Sequence, residues 1–318
     1  MTLQKWGPWL VFIAAMLWAT DAPFRVQLTK ELSSSFIVLA EHFIDVLFIL
    51  PVLWWKRREI KSLGGKECLA VLVIAVGSSA LASVAFVKAF SYVNPSVAIV
   101  LQKLQPILAI GLAASLLKEE LRARFWLWAV IAIAGAYVVS FPNLAPKLFE
   151  GETFNPNFMG VALALTAAAL WGAGTVLGKY VLSRASFQTM TALRFLIAFV
   201  FLLGMNAYQK SFPAFGAVSA RTWLYIVIIA VTSGVVSLFI YYKGLAHTRA
   251  SIATLAELGF PLAAVLVNYF ALRIELQPSQ MFGMTLLLFA IFNLTKGATP
   301  GNLTNSAPVE PSDTLPAP

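Results

Sequence analysis

Apolar residues run along this chain in blocks of about 20, separated by short polar or proline-bearing stretches, and the block lengths define the architecture. A hydrocarbon core of about 30 Å takes roughly 17 to 25 helical residues, with every backbone N–H and C=O bonded within the helix. Ten blocks meet that length: residues 8–28, 33–55, 68–90, 96–117, 124–141, 158–181, 187–207, 222–244, 250–272 and 278–297. The longest gaps, 142–157 and 208–221, leave no room for a soluble catalytic domain. The expected fold class is therefore an all-α integral membrane protein with ten transmembrane helices.

The blocks repeat. Residues 96–120, SVAIVLQKLQPILAIGLAASLLKEE, place a lysine, two glutamines and a proline inside an apolar run. Aligning Pro106 with Pro261 also pairs Lys88 with Lys243, Ser96 with Ser251, Ala98 with Ala253, Gln102 with Glu257 and Glu120 with Glu275, all at an offset of 155. Upstream, LWATDAPFR from Leu17 resembles LWGAGTVLGK from Leu170; Trp18 and Trp171 are 153 apart, and Glu41 stands opposite Arg194 at the same spacing. The expected organisation is a first repeat over 1–141, an external linker over 142–157, a second repeat over 158–298, and a disordered cytoplasmic tail over 299–318, rich in proline and small polar residues. Five helices per repeat is an odd number, so the second unit enters the membrane inverted. In secondary transporters that plan places the substrate at the midplane between the repeats.

Composition agrees: 59% hydrophobic, 12% charged and a mean hydropathy of +0.81, against about 25% charged in soluble domains. The net charge of +9 does not point to nucleic acid, because the basic residues flank apolar blocks and form no long basic face. The densest clusters, Lys56, Arg57, Arg58, Lys61 and Lys66, then Lys118, Arg122 and Arg124, belong in the cytoplasm by the positive-inside rule. That places both termini inside a multi-pass protein of the cell (inner) membrane, with Lys179, Arg184, Lys243 and Arg249 on later cytoplasmic turns. The first block lacks a small-residue cleavage site and is followed by Asp21, Pro23 and Arg25, so it is not read as a signal peptide. Cys68 is the lone cysteine, which excludes an internal disulfide.

Two five-helix units, each with LW and small residues in its first helix, a proline in its fourth and a glutamate opening its fifth, resemble the EamA type of the drug/metabolite transporter superfamily over roughly residues 8–297. The resemblance is carried by Trp18 and Trp171, Arg194 ending the MTALR segment, Pro106 with Glu120, and Pro261 with Glu275. Glu41 departs from it, standing where many first repeats have arginine. The resemblance implies a ten-helix secondary transporter for small organic metabolites, commonly an exporter.

A charge at the bilayer centre costs roughly 2.5 to 3.5 kcal/mol on insertion scales and so faces a cavity or a partner. Glu41 and Asp45 lie four apart on one helical face, with His42 about 100° round the axis. Lys103 is mid-block between Gln102 and Gln105, Arg194 lies in the seventh block and Glu257 in the ninth. With Trp18 and Trp171 these form the expected substrate site, and Pro106 and Pro261 are its expected hinges. The same charges read equally well as structural ion pairs, Glu41 or Asp45 with Lys103 and Arg194 with Glu257. Mixed charge suggests an amino acid, amine or other zwitterion as substrate, and Glu41, Asp45 or Glu257 suggests proton-coupled antiport.

Two other classes compete with the carrier. An intramembrane enzyme would use Glu41, His42 and Asp45, but no nucleophile with a positioned base supports it. A channel fits poorly with midspan charges of both signs. Neither cofactor nor metal is expected, since His42 and His247 are the two histidines and no i, i+4 pair exists. Lys88 and Lys243 are expected to snorkel, Glu120 and Glu275 to cap the helix that follows each, and Gly174 with Gly178 to make a small-xxx-small contact.

Overall fold

The computed structural model describes residues 3–89, 92, 101–102, 104–141, 158–214, 216, 218–272 and 277–296. Lys103, Ser96, Ala98, Glu275, the linker 142–157 and the tail 299–318 lie outside them. The described residues are helical, joined by short turns.

Helix α1 (Leu3–Trp18) stops short of Pro23, a residue type that lacks an N–H and cannot continue a helix without clashing with the carbonyl four residues back. The chain steps through a 3-10 turn, Ala19–Asp21, and restarts as α2 (Ala22–Glu31). Ser33 caps α3 (Ser34–Trp55), its Oγ accepting from the Phe36 N–H at 3.3 Å. A short helix, α4 (Arg57–Lys61), leads to α5 (Gly65–Ala89), which widens to π-helical turns over Ile74–Leu81. Next come α6 (Gln105–Leu116), α7 (Ala123–Ser140), α8 (Phe158–Val181) and α9 (Phe187–Gln209). Helix α10 (Ala220–Ala246) also widens, over Ala230–Val236, and is followed by α11 (Ala250–Ala256), α12 (Gly259–Leu272) and α13 (Pro278–Lys296).

This is a multi-pass membrane protein. Among the described residues, α3, α5, α7, α8, α9, α10 and the stretch Ala250–Val267 are seven helices long and apolar enough to cross a membrane; Gln105–Leu116 and Pro278–Leu294 are shorter apolar helices. Besides the first block, which breaks at Ala19–Asp21, two expected blocks are interrupted. Helix α6 starts at Gln105 with Pro106 in its first turn, and the block 250–272 breaks at Glu257–Leu258, with Pro261 in the first turn of α12. Each proline therefore opens a helix, where its missing N–H costs nothing.

Helix packing follows a reciprocal scheme. Helix α3 lies on α9, α7 on α13 and α6 on α11, while α1 packs on α10 and α8 on α5. The crossing of α7 with α13 brings two main chains into direct contact. A Cβ on Gly135 would stand 2.9 Å from Leu287 N and 3.0 Å from Gly283 O, and one on Gly283 would stand 2.9 Å from both Gly135 O and Val139 N. Gly174 and Gly178 do sit at contacts, but with two different helices: Gly174 against Ser78 of α5, Gly178 against Tyr242 and Leu245 of α10.

The four basic connections meet at one end of the bundle. Tyr180 OH donates to Glu67 Oε1 at 3.1 Å, and Ser186 N–H and Oγ donate to Glu59 at 2.5 and 2.9 Å. Lys179 Nζ donates to the Leu245 and Ala246 carbonyls at 3.1 and 2.9 Å, placing a cation at the negative end of α10. Glu119 accepts from the Ala250 and Ser251 N–H groups at 2.8 and 3.2 Å, and from Ser251 Oγ, at the positive end of α11. It also lies 3.6 Å from Arg249 Nε. The capping glutamate of this segment is thus Glu119 rather than Glu120, and it caps a helix far along the chain, because α6 packs on α11. Burial, then the Lys179 and Lys243 ammoniums, push His247 below the usual imidazole range. Lys88 and Lys243 are exposed.

Candidate functional site

Helix α3 presents one polar stripe inward while Phe43, Leu47 and Phe48 face outward, so Glu41, His42 and Asp45 are buried in the bundle. The expected pairing of Glu41 or Asp45 with Lys103 lies outside the described residues. The Glu41 carboxylate meets the Arg25 guanidinium in a two-point contact, Nη1 to Oε1 and Nη2 to Oε2 both at 3.0 Å, and Arg25 Nε reaches Asp21 Oδ2 at 2.7 Å. The break before α2 makes this possible by bringing Arg25 alongside α3.

Asp45 is 2% exposed, and its Oδ1 has no hydrogen-bond partner. Its carboxylate lies against the wide turn of α10, where a Cβ on Gly234 would sit 2.5 Å from Oδ1. A larger residue there would have to displace the carboxylate. His42 Nδ1 lies 2.9 Å from the Val38 carbonyl, which can only accept, so the ring proton is on Nδ1. The ring stands edge-on to Phe195 at 5.7 Å.

Glu257 occupies the break between α11 and α12. Gln105 Nε2 donates to its Oε2 at 2.7 Å; Thr175 Oγ1 and Tyr241 OH donate to its Oε1 at 2.9 and 2.8 Å. Arg194, expected as its ion-pair partner, instead donates to Ser79 Oγ at 2.5 Å and to Tyr242 OH at 2.7 Å. The Tyr241 and Tyr242 rings, 5.1 Å apart, lie between the two charges. Among the described residues the ion pairs are Arg25 with Asp21 and Glu41, Lys56 with Glu59, and Arg249 with Glu119. No group of three His, Cys, Asp or Glu residues among them could hold a metal ion.

The tryptophans lie where the two halves touch. Trp18 Nε1 donates to Ser237 Oγ at 2.9 Å and its ring meets Tyr241 at 5.4 Å. Trp171 Nε1 donates to the Ser78 carbonyl at 3.0 Å and its ring meets Phe86 at 5.2 Å. Ser78 Oγ donates to the Leu170 carbonyl at 2.6 Å, and Ser233 Oγ to the Leu17 carbonyl at 3.2 Å.

The structure therefore brings Glu257 together with Gln105 and places Trp18, by its Tyr241 contact, beside them. Glu41 pairs with Arg25. Arg194 is linked onward through the two tyrosines. Gln102 is part-buried with an undonated Oε1, and Lys103 is outside the described residues. Sequence reasoning missed Arg25, Ser79, Thr175 and Tyr242. The available signals were an arginine inside the first apolar block, and small residues at matching places in two apolar blocks, Ser78 and Ser79 against Ser233 and Gly234. A small polar notch lined by Gln27, Glu31, Arg221, Thr222 and Tyr225 lies at the bundle end away from the basic turns, where Thr222 Oγ1 donates to Glu31 at 2.6 Å.

The sequence profile described as the EamA-like transporter family matches this chain twice, over residues 5–141 and 158–295. The riboflavin transporter ImpX of Fusobacterium nucleatum is 33% identical over 298 residues, 91% of this chain and 97% of the relative. The uncharacterized transporter YwfM of Bacillus subtilis is 26% identical over 58% of this chain and 59% of its own. A crystal structure superposes with a TM-score of 0.74 at 16% identity, covering 92% of this chain and 97% of that one, and so shares the fold.

Proposed function

The chain belongs to the EamA-like transporter family, and from that premise we propose that it is a secondary transporter working by alternating access, built from ten transmembrane helices in two inverted five-helix repeats. Reciprocal packing supports the repeat, as do the two wide turns, Ile74–Leu81 and Ala230–Val236, near an offset of 155. The gathering of the basic turns at one end supports cytoplasmic termini in the inner membrane. The helix breaks at Pro106 and Pro261 are the proposed hinges.

For the substrate we propose riboflavin or a close flavin relative. The observation that carries this is the 33% identity to ImpX along nearly its whole length. The site's chemistry agrees better with this solute than with a zwitterion. Arg25 is committed to Glu41 and Asp21, and Arg194 to two hydroxyls. Riboflavin is uncharged, with a planar ring suited to Trp18, Tyr241 and Trp171 and a hydroxylated chain suited to Gln105, Thr175 and Glu257. Stacking on tryptophan or tyrosine quenches flavin fluorescence, so titrating riboflavin with the purified protein should give saturable quenching in the micromolar range. Absent quenching, with stabilisation by an amino acid instead, overturns the flavin reading.

Coupling is assigned to protons, with Asp45, a buried carboxylate whose Oδ1 is undonated, as carrier. The working direction is antiport, solute outward against protons inward. Flavin flux in vesicles under an imposed pH gradient tests this, and indifference to the gradient sinks it.

A further inference from the structure

Helix α4 has the sequence RREIK, and its one carboxylate faces away from its cations. Glu59 is drawn inward, accepting from Ser186 N–H and Oγ and pairing with Lys56 at 3.2 Å. The neighbouring Glu67 accepts from Tyr180. Arg57, Arg58 and Lys61 are exposed and form no ion pair among the described residues. Two tryptophans stand just before them at the end of α3, Trp54 72% and Trp55 70% exposed. Arg57 lies over the Trp54 ring at 4.6 Å, which holds a guanidinium at the rim of an apolar surface.

Exposed tryptophans mark the headgroup level of a bilayer. Cations held at that level, without carboxylates to neutralise them, meet lipid phosphates rather than bulk solution. Below them, Leu69 and Leu72 are exposed on α5 and offer a surface for acyl chains. We propose that Arg57, Arg58 and Lys61, framed by Trp54 and Trp55, form a binding site for the phosphate headgroup of an anionic phospholipid. The site is distinct from the central polar network and does not depend on the flavin reading.

The test uses the full chain in detergent, titrated with phosphatidylglycerol and read by native mass spectrometry and thermal unfolding. Phosphatidylcholine and inorganic phosphate are the comparison probes. Phosphatidylglycerol should be retained preferentially, raise the unfolding temperature and be weakened by added NaCl. Each of Arg57→Gln, Arg58→Gln and Lys61→Gln should weaken its binding about fivefold. Arg58→Lys should hold, and so should Lys210→Gln at the other end of the bundle. A triple glutamine variant that keeps phosphatidylglycerol as tightly as the parent overturns the proposal, as does equal retention of phosphatidylcholine. Inorganic phosphate that competes fully would make this a free-anion site and overturn the lipid assignment. Should the triple variant not fold, the single variants and the salt titration of the parent protein decide the matter.

Discussion

Ser78 and Ser233, 155 residues apart, form the same bond in opposite directions. Each donates from a wide helical turn to the carbonyl before the tryptophan of the other half, Ser78 to Leu170 and Ser233 to Leu17. Ser78→Ala and Ser233→Ala should each lower stability by about 1 kcal/mol, the double variant by about 2 kcal/mol. Thermal unfolding reads this. A large effect at one site with none at the other contradicts equivalent roles.

Glu257 collects three donors from three helices at a chain break. Glu257→Gln keeps the shape and removes the charge, so the protein should fold while transport falls at least tenfold, the equivalent of about 1.4 kcal/mol. Uptake and efflux in vesicles measure it, and a loss below twofold removes Glu257 from the site.

Trp18 offers the flavin a ring face while its N–H is held by Ser237. Trp18→Leu should weaken riboflavin binding about tenfold, the scale of one aromatic stacking contact. Trp18→Phe, which keeps a ring, should retain most of it. Equal losses in both variants would assign the effect to the Ser237 bond instead.

Lys179 donates to the last carbonyls of α10 from within the bundle. Lys179→Met leaves them without that donor and should cost about 1 to 3 kcal/mol in thermal unfolding. A gain in stability would mean that burying the ammonium costs more than its bonds return.

Burial pushes the Glu59 carboxyl up, but the Ser186 N–H and hydroxyl and the Lys56 ammonium outweigh it and leave it below the usual carboxylate range. A depressed folded-state value means the stabilisation is fully present above the unfolded value of about 4.3 and is lost as pH falls through the folded value. Parent and Glu59→Gln unfolding curves should therefore converge as the pH drops below about 4.3. A constant gap down to strong acid contradicts this.

The seven long apolar helices and the inward face of α3 were legible because block length and the 3.6-residue period need no tertiary information. Gln102 aligns with Glu257 in sequence, yet the side chain that reaches Glu257 is Gln105, set by the helix start at Pro106. Partner choice was not legible, since it depends on how helices rotate against each other. Glu41 finds Arg25 because α1 breaks before Pro23. Arg194 finds Tyr242 because α9 and α10 pack together. The hydroxyl bond from Tyr241 to Glu257 is likewise a tertiary fact. Glu119 and Glu120 look alike in sequence, and only the approach of α6 to α11 separates them.

The crossing of Gly135 and Gly283 bears on how this protein can change over generations. What a methyl at Gly135 would strike is main chain, Leu287 N and Gly283 O; one at Gly283 would strike Gly135 O and Val139 N together with the Val138 Cβ. A clash with a side chain can be relieved by trimming that side chain elsewhere in the gene, but no codon change trims a peptide bond. A lineage that loses either glycine is left with reversion or with helices pushed apart, so second-site suppressors of Gly135→Ala should be rare.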